Sequence, residues 1–142
     1  MKQVHLYSDG SSLGNPGYGG YCAILKFGEH QKIVSGADAN VTNNQMELKA
    51  VIEGLKALKE PCEVIITSDS NYVVKAINEW LKNWVKKNFK GVKNPDLWRE
   101  FLEVSAPHKL KANWVKGHDG HKENELCDTI AKEEATRLKD GK

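Results

Sequence analysis

The sequence predicts a three-layer α/β domain on a mixed β-sheet, and three features point there. The N-terminal part of the 142 residues alternates apolar and polar side chains with period two. Later segments carry apolar residues at helical spacing. Between them lies the short run Val64-Ile-Ile-Thr-Ser-Asp69, mostly apolar and ending polar, the form of a central strand covered on both faces. With 39% hydrophobic and 28% charged side chains, residues 1–142 are expected to form one domain with its own core.

Val4, Leu6 and Ser8 alternate with His5, Tyr7 and Asp9 in a first strand that runs into a glycine-rich turn from Gly10 to Gly20. Tyr21 to Phe27 and Lys32 to Gly36, joined by a turn at Gly28–His30, complete an antiparallel meander. Thr42-Asn-Asn-Gln45 is a capping-box pattern. Leu48, Val51, Ile52, Leu55 and Leu58 then follow at helical spacing until Pro61. Helical patterns run from Ser70 to Trp80, onward to Asn88, and from Asn94 to Val104. A last short strand spans Ala112 to Val115, a polar loop Lys116 to His121, and a final helix Glu123 to Leu138.

The N-terminus lacks the apolar run of a signal peptide, and no stretch approaches the ~18 apolar residues of a membrane span, so a soluble cytoplasmic protein is expected. Cys22, Cys62 and Cys127 are odd in number, far apart and never in a CxxC pair. They read as buried reduced thiols. The net charge of +2 conceals an asymmetry. Between Lys75 and Lys93 six lysines face one acid, Glu79, and the segment also carries Trp80, Trp84 and Phe89. A lysine run is often only a solvated helix face, but lysines attract phosphates and flat rings stack on sugars or bases, so the interleaving suggests a nucleic-acid platform.

Asp9 and Asp69 end strands that, if adjacent and parallel, present both carboxylates at one sheet edge. Glu47 lies on the Val51, Gly54 and Leu58 face of its helix. Asp128 lies on the face of Asn124, Ala131 and Ala135, whose small residues permit close approach to the sheet. Each acid alone has an ordinary explanation as a strand end or a helix-terminus charge. Four converging ones would repel and raise one another's pKa unless cations lay between them. An oxygen-only ligand set suits Mg²⁺ or Mn²⁺ rather than zinc. Two such ions ~3.5–4 Å apart can position a water for in-line attack on a phosphodiester.

The motifs Tyr-Ser-Asp9-Gly-Ser with Gly14-Asn-Pro-Gly17, Thr42-Asn-Asn-Gln-Met-Glu47-Leu, Thr67-Ser-Asp69-Ser, Trp114-Val-Lys-Gly-His118 and Asn124-Glu-Leu-Cys-Asp128 resemble those of bacterial type 1 ribonucleases H in unbroken order. The resemblance implies a ribonuclease H-like fold, a five-stranded mixed sheet with helices on both faces. It also implies Mg²⁺-dependent endonucleolytic cleavage of RNA paired to DNA, with Mn²⁺ able to substitute and two ions bound beside substrate. Carried over residue by residue, it makes Asp9, Glu47, Asp69 and Asp128 the metal-binding acids and His118 a mobile histidine assisting the leaving group or product release. Glu125 matches an acid near the metals. Gly10, Ser12, Asn43, Asn44 and Asn71 would lie along the RNA, where the ribose 2′-hydroxyl is read. Asn15, Thr42 and Asn94 would hold a DNA phosphate. Trp80 and Trp84, with Trp98 a further candidate, would line the DNA, although interhelical packing is the preferred expectation for Trp98 and Trp114. Lys86, Lys87 and Lys90 would grip the hybrid without reading sequence.

Two departures from the family pattern bear on affinity: Asn71 stands where a longer glutamine is common, and the basic protrusion between Trp84 and Trp98 is short. The expected partner is an RNA·DNA hybrid, with no membrane and no obligate protein partner, the chain acting as a monomer. Gly10 to Gly20 contains neither GxxxxGK[ST] nor GxGxxG, which argues against a nucleotide-binding enzyme. His118, His121 and Cys127 lack a fourth zinc ligand. The alternatives are a noncatalytic hybrid-binding module, which has no use for uncompensated acids in a phosphate groove, and a related resolvase or polynucleotidyl transferase.

Overall fold

Period-two alternation in the first forty residues produces longer strands than its apolar core alone predicts. In the computed structural model, which describes residues 1–116 and 121–141, β1 (Lys2–Ser12), β2 (Gly17–Phe27) and β3 (His30–Val41) form the antiparallel meander. Much of the expected turn from Gly10 to Gly20 is therefore strand, with Gly10 opposite Tyr21 and Ser12 opposite Gly19. Likewise β3 continues past Gly36, because Ala37 and Asp38 keep pairing with Gly20 and Gly19. Neither extension is visible in propensity; the neighbouring strand supplies the hydrogen bonds.

The meander is followed by α1 (Asn43–Lys56), β4 (Cys62–Ser68), α2 (Asn71–Lys75), a π-helical turn (Ala76–Trp80), α3 (Leu81–Lys86), α4 (Pro95–Ser105), β5 (Lys109–Trp114) and α5 (Lys122–Lys139). The five strands lie in the order β3-β2-β1-β4-β5, with β1, β4 and β5 parallel, which is the mixed sheet expected. α1 starts at a complete capping box: Thr42 Oγ1 accepts from Gln45 N, and Gln45 Oε1 accepts from Thr42 N at 2.9 Å.

The strand alternation sorts the core into two layers. Val4, Leu6, Ala23 and Leu25 join Leu48, Val51, Ile52, Leu55, Trp98 and Phe101 on the face covered by α1 and α4. On the other face Cys22 and Ile24 pack with Cys127 and Ala131 of α5. All three cysteines are buried free thiols.

Two glycines set how closely the helices approach. A Cβ on Gly10 would lie 2.2 Å from the main-chain carbon of Met46, and one on Gly20 would lie 1.9 Å from the carbonyl oxygen of Ala131. The first contact brings the start of α1 onto β1, and the second brings α5 onto β2. Those are the helices that carry Glu47 and Asp128.

Candidate active site

Because β1 and β4 are parallel neighbours with Ser8 opposite Ser68, Asp9 and Asp69 follow at the same level. Asp9 alternates onto the face of Tyr7 and Cys22, while Gly10 faces α1 without a side chain, so Glu47 reaches around the strand to its partner. The Gly10 N–H donates to Asp9 Oδ1 at 2.9 Å and also to Glu47 Oε1. Asp9, Glu47 and Asp69 each offer an oxygen within 4.8 Å of the others. Asp128 borders the same cleft, of about 470 Å³, but its Oδ2 lies 3.1 Å from Lys132 Nζ, the next turn of α5.

Burial pushes the Asp9 carboxyl up to about 7, reinforced by the charges of Asp69 and Asp128 and opposed by hydrogen bonds from Glu47 and the Gly10 N–H. Burial also raises Glu47 well above the ordinary carboxylate range, with Asp9 the next cause. Asp69 Oδ1 is buried with no hydrogen-bond partner among the described residues. Crowded acids, an unsatisfied buried carboxylate oxygen and an all-oxygen donor set are the chemistry of a hard divalent cation site. The residues present therefore fit one.

The buried acid makes stability depend on pH. Without metal the folded chain holds the Asp9 proton up to about pH 7, whereas the unfolded chain releases it near pH 4. The folded state binds more protons across that interval, so this group's contribution to stability falls as pH rises through it and stays low above it. Asp9→Asn should thus be more stable than the native chain at pH 8 in EDTA, by up to about 4 kcal/mol, with the difference vanishing near pH 4. A divalent cation held by these acids should stabilise the native chain more than the variant. Equal melting temperatures in EDTA at pH 8 would contradict the burial argument.

Gly10, Asn43, Asn44 and Asn71 border the cleft with the acids, joined by Ser11 and Ser70, which stand in the quoted motifs without an assigned role, and by Tyr72, which lies outside them. Ser70 has a recognisable signal: it N-caps α2, its side chain accepting from Val73 N. Ser12 sits beside the cleft, its N–H donating to Asn43 Oδ1 at 2.6 Å. Asn15 Oδ1 accepts from Asn43 N, and Asn94, whose φ of 57° puts it in the left-handed region before α4, bonds to both Gln45 and Tyr72. Thr42, Asn15 and Asn94 are thus linked through the start of α1. Glu125 is exposed and does not border the cleft. His118 lies outside the described residues.

The aromatic expectations divide. Trp80 is exposed, Trp84 half-buried and Trp98 fully buried, with ring centroids 5.8 Å apart for the first pair and 5.5 Å for the second. Trp98 is therefore core and not a DNA-lining residue, and its indole N–H donates to Tyr72 Oη. Phe89 is also buried, held under Arg99 rather than displayed among the lysines. Trp114 departs from the packing expected of it: it is 47% exposed, and its indole N–H donates to the Asp69 carbonyl at 2.9 Å. The pairing of β5 with β4 places it there, a register no local pattern discloses. Lys86, Lys87 and Lys90 are exposed and form no ion pair among the described residues.

A mixed sheet whose central parallel strands carry clustered acids, beside an asparagine-lined cleft and a lysine-rich helix, defines an α/β protein of the metal-dependent nuclease class. The RNase H family profile matches residues 1–136. Ribonuclease H of Campylobacter concisus is 64% identical over 140 residues, covering 99% of this chain and 97% of that one. Among solved structures, LC9-RNase H1, a type 1 RNase H with the type 2 active-site motif, superposes with a TM-score of 0.89 at 27% identity, covering 96% of this chain and 73% of that one. LC11-RNase H1, solved in complex with an RNA/DNA hybrid, shares the fold with a TM-score of 0.69 at 20% identity, over 95% and 98% of the two chains. The chain belongs to the ribonuclease H family, hydrolases of RNA in RNA·DNA hybrids.

Proposed function

We propose that this protein cleaves the RNA strand of RNA·DNA hybrids endonucleolytically with two Mg²⁺ ions, replaceable by Mn²⁺, leaving 5′-phosphate and 3′-hydroxyl ends. The observation that carries this reading is the cluster of Asp9, Glu47 and Asp69 within 4.8 Å at the floor of an open cleft. Asp128 from α5, which borders the same cleft, would complete the ligand set. Ions held there would polarise the scissile phosphate and stabilise the departing oxygen.

The chain's own groups do the rest. Asn43, Asn44 and Asn71 offer amides along the cleft to the ribose 2′-hydroxyls, with Gly10 and Ser12 allowing the RNA backbone close approach. Asn15, Thr42 and Asn94 hold a phosphate of the DNA strand, and Trp80 with Trp84 supports its sugars. His118, which precedes α5 in the sequence, assists the leaving group or product release.

Labelled RNA·DNA, RNA·RNA and DNA·DNA duplexes incubated with Mg²⁺ or EDTA test the reading. Cleavage of the hybrid RNA alone, and only with Mg²⁺, is expected. Binding without cleavage would instead mark a hybrid-binding module, and cleavage of DNA a resolvase.

Replacing Lys86, Lys87 and Lys90 with alanine should weaken hybrid binding and lower the log–log salt slope by roughly 0.9 for every phosphate no longer neutralised. Turnover at saturating hybrid should change little, because these lysines belong to a different part of the chain from the acids. Anisotropy titrations across salt concentrations measure the slope, and an unaltered slope would reduce the run to a solvated face.

A further inference from the structure

Gln45 sits between two groups whose hydrogen-bonding direction matters, and one end of it has no choice. Its Oε1 receives the main-chain N–H of Thr42 at 2.9 Å, and a main-chain N–H can only donate. Its Nε2 must therefore face outward, where it donates to Asn94 Oδ1 at 3.1 Å. That fixes the Asn94 amide in turn: Nδ2 points the other way and donates to Tyr72 Oη at 3.1 Å. Tyr72 Oη already accepts from the Trp98 indole N–H at 2.8 Å, another group that only donates. With both acceptor positions taken, the Tyr72 hydroxyl hydrogen and the second Asn94 amide hydrogen are left uncommitted among the described residues. Tyr72 borders both the carboxylate cleft and a hollow lined by Trp84, Lys87 and Lys93.

We propose that Gln45 is a positioning residue that sets the direction of hydrogen bonding through Asn94 and Tyr72, keeping both as donors toward a substrate phosphate. This rests on the reading of Asn94 as a phosphate contact. A phosphate presents only acceptors, so the direction of the chain decides whether the pair can bind one. If the Asn94 amide were reversed, Tyr72 would donate its hydroxyl hydrogen to Asn94 Oδ1 and that bond would still be made, but Asn94 Nδ2 would face Gln45 Nε2, donor against donor. One donor would also be withdrawn from the substrate. The reversed chain keeps the Tyr72–Asn94 bond but is poorly disposed to bind, and Gln45, whose outward Nε2 can only donate, excludes it.

Gln45→Glu tests this directly. Glutamate also serves the third position of a capping box, so the Thr42 N–H keeps its acceptor and α1 keeps its start. Its other oxygen can only accept, which draws the Asn94 NH₂ toward it and reverses the chain. Steady-state cleavage of an RNA·DNA hybrid by the full protein should show KM raised about tenfold, the effect of one hydrogen bond to a charged group, with kcat within about twofold of native. The new carboxylate also repels phosphate, so the same change is made in an Asn94→Ala background. There it should add less than about twofold, because the group it acts through is gone. Gln45→Met, which removes the directing amide without adding charge, should raise KM by about threefold and serves if the glutamate variant folds poorly.

Equal effects of Gln45→Glu with and without Asn94 would mean simple charge repulsion and overturn the proposal. So would a native KM in both Gln45 variants. If Asn94→Ala itself leaves KM unaltered, the phosphate reading of Asn94 fails and this inference falls with it. If Asn94→Ala raises KM while the Gln45 variants do not, the role of Gln45 alone is overturned.

Discussion

Asp69→Asn should abolish cleavage of the hybrid, lowering the single-turnover rate at least about 10³-fold, while the protein remains folded and binds substrate. The amide is nearly isosteric with the carboxylate but lacks the charge that would hold a cation. Loss of a metal's transition-state stabilisation is worth several kcal/mol. The local structure should survive because its supports are main-chain contacts: the Trp114 indole on the Asp69 carbonyl and the Val115 N–H on the Ser68 carbonyl. The buried Oδ1 has no partner among the described residues to lose. Hybrid binding should persist because the lysine run beyond Trp80 is untouched. Single-turnover cleavage and anisotropy on one preparation check both halves, and a variant retaining more than about a tenth of native activity would remove Asp69 from the metal site.

Gly10→Ala should damage both stability and chemistry although it changes one hydrogen for a methyl group. The added Cβ would fall 2.2 Å from the Met46 carbonyl carbon and 2.3 Å from the Glu47 nitrogen, both main-chain atoms of α1. A side chain could rotate aside. Here the helix or the strand must move, and overpacking of this kind costs about 1–3 kcal/mol or more. Movement of α1 also carries Glu47 away from Asp9 and strains the Gly10 N–H that both carboxylates share. Thermal unfolding should show the destabilisation, and residual activity should require more Mg²⁺ than the native enzyme. A variant with native melting temperature and native Mg²⁺ dependence would show that α1 does not depend on this contact.

Much of this protein is legible in its sequence. Period-two alternation around Leu6 and Ile24 marks the meander, the Thr42–Gln45 capping box marks the start of α1, and the apolar run closing at Asp69 marks the buried strand. These are local patterns, each settled by residues a few positions apart. The convergence of the acids is also readable, since strand ends and helix faces constrain where a side chain can go. Local patterns fail where a neighbour supplies the decisive interaction. Ala37 and Asp38 are strand because β2 is beside them, not because of their own propensity. Phe89 faces the core and Trp114 faces outward over Asp69, although both are large aromatic residues near polar sequence, whereas Trp98 packs between helices as expected.

The sequence by itself determined which elements form and which residues carry charge to the carboxyl ends of the strands, because backbone preference and hydrophobic period act over short separations. Tertiary structure alone decided that Gly10 and Gly20 admit α1 and α5 to near contact with the sheet. It also decided that burial raises the Asp9 carboxyl to about 7 and that the Gln45 amide donates to Asn94. Those properties depend on burial, register and the direction of hydrogen bonds between groups tens of residues apart, and they exist only once the chain has closed on itself.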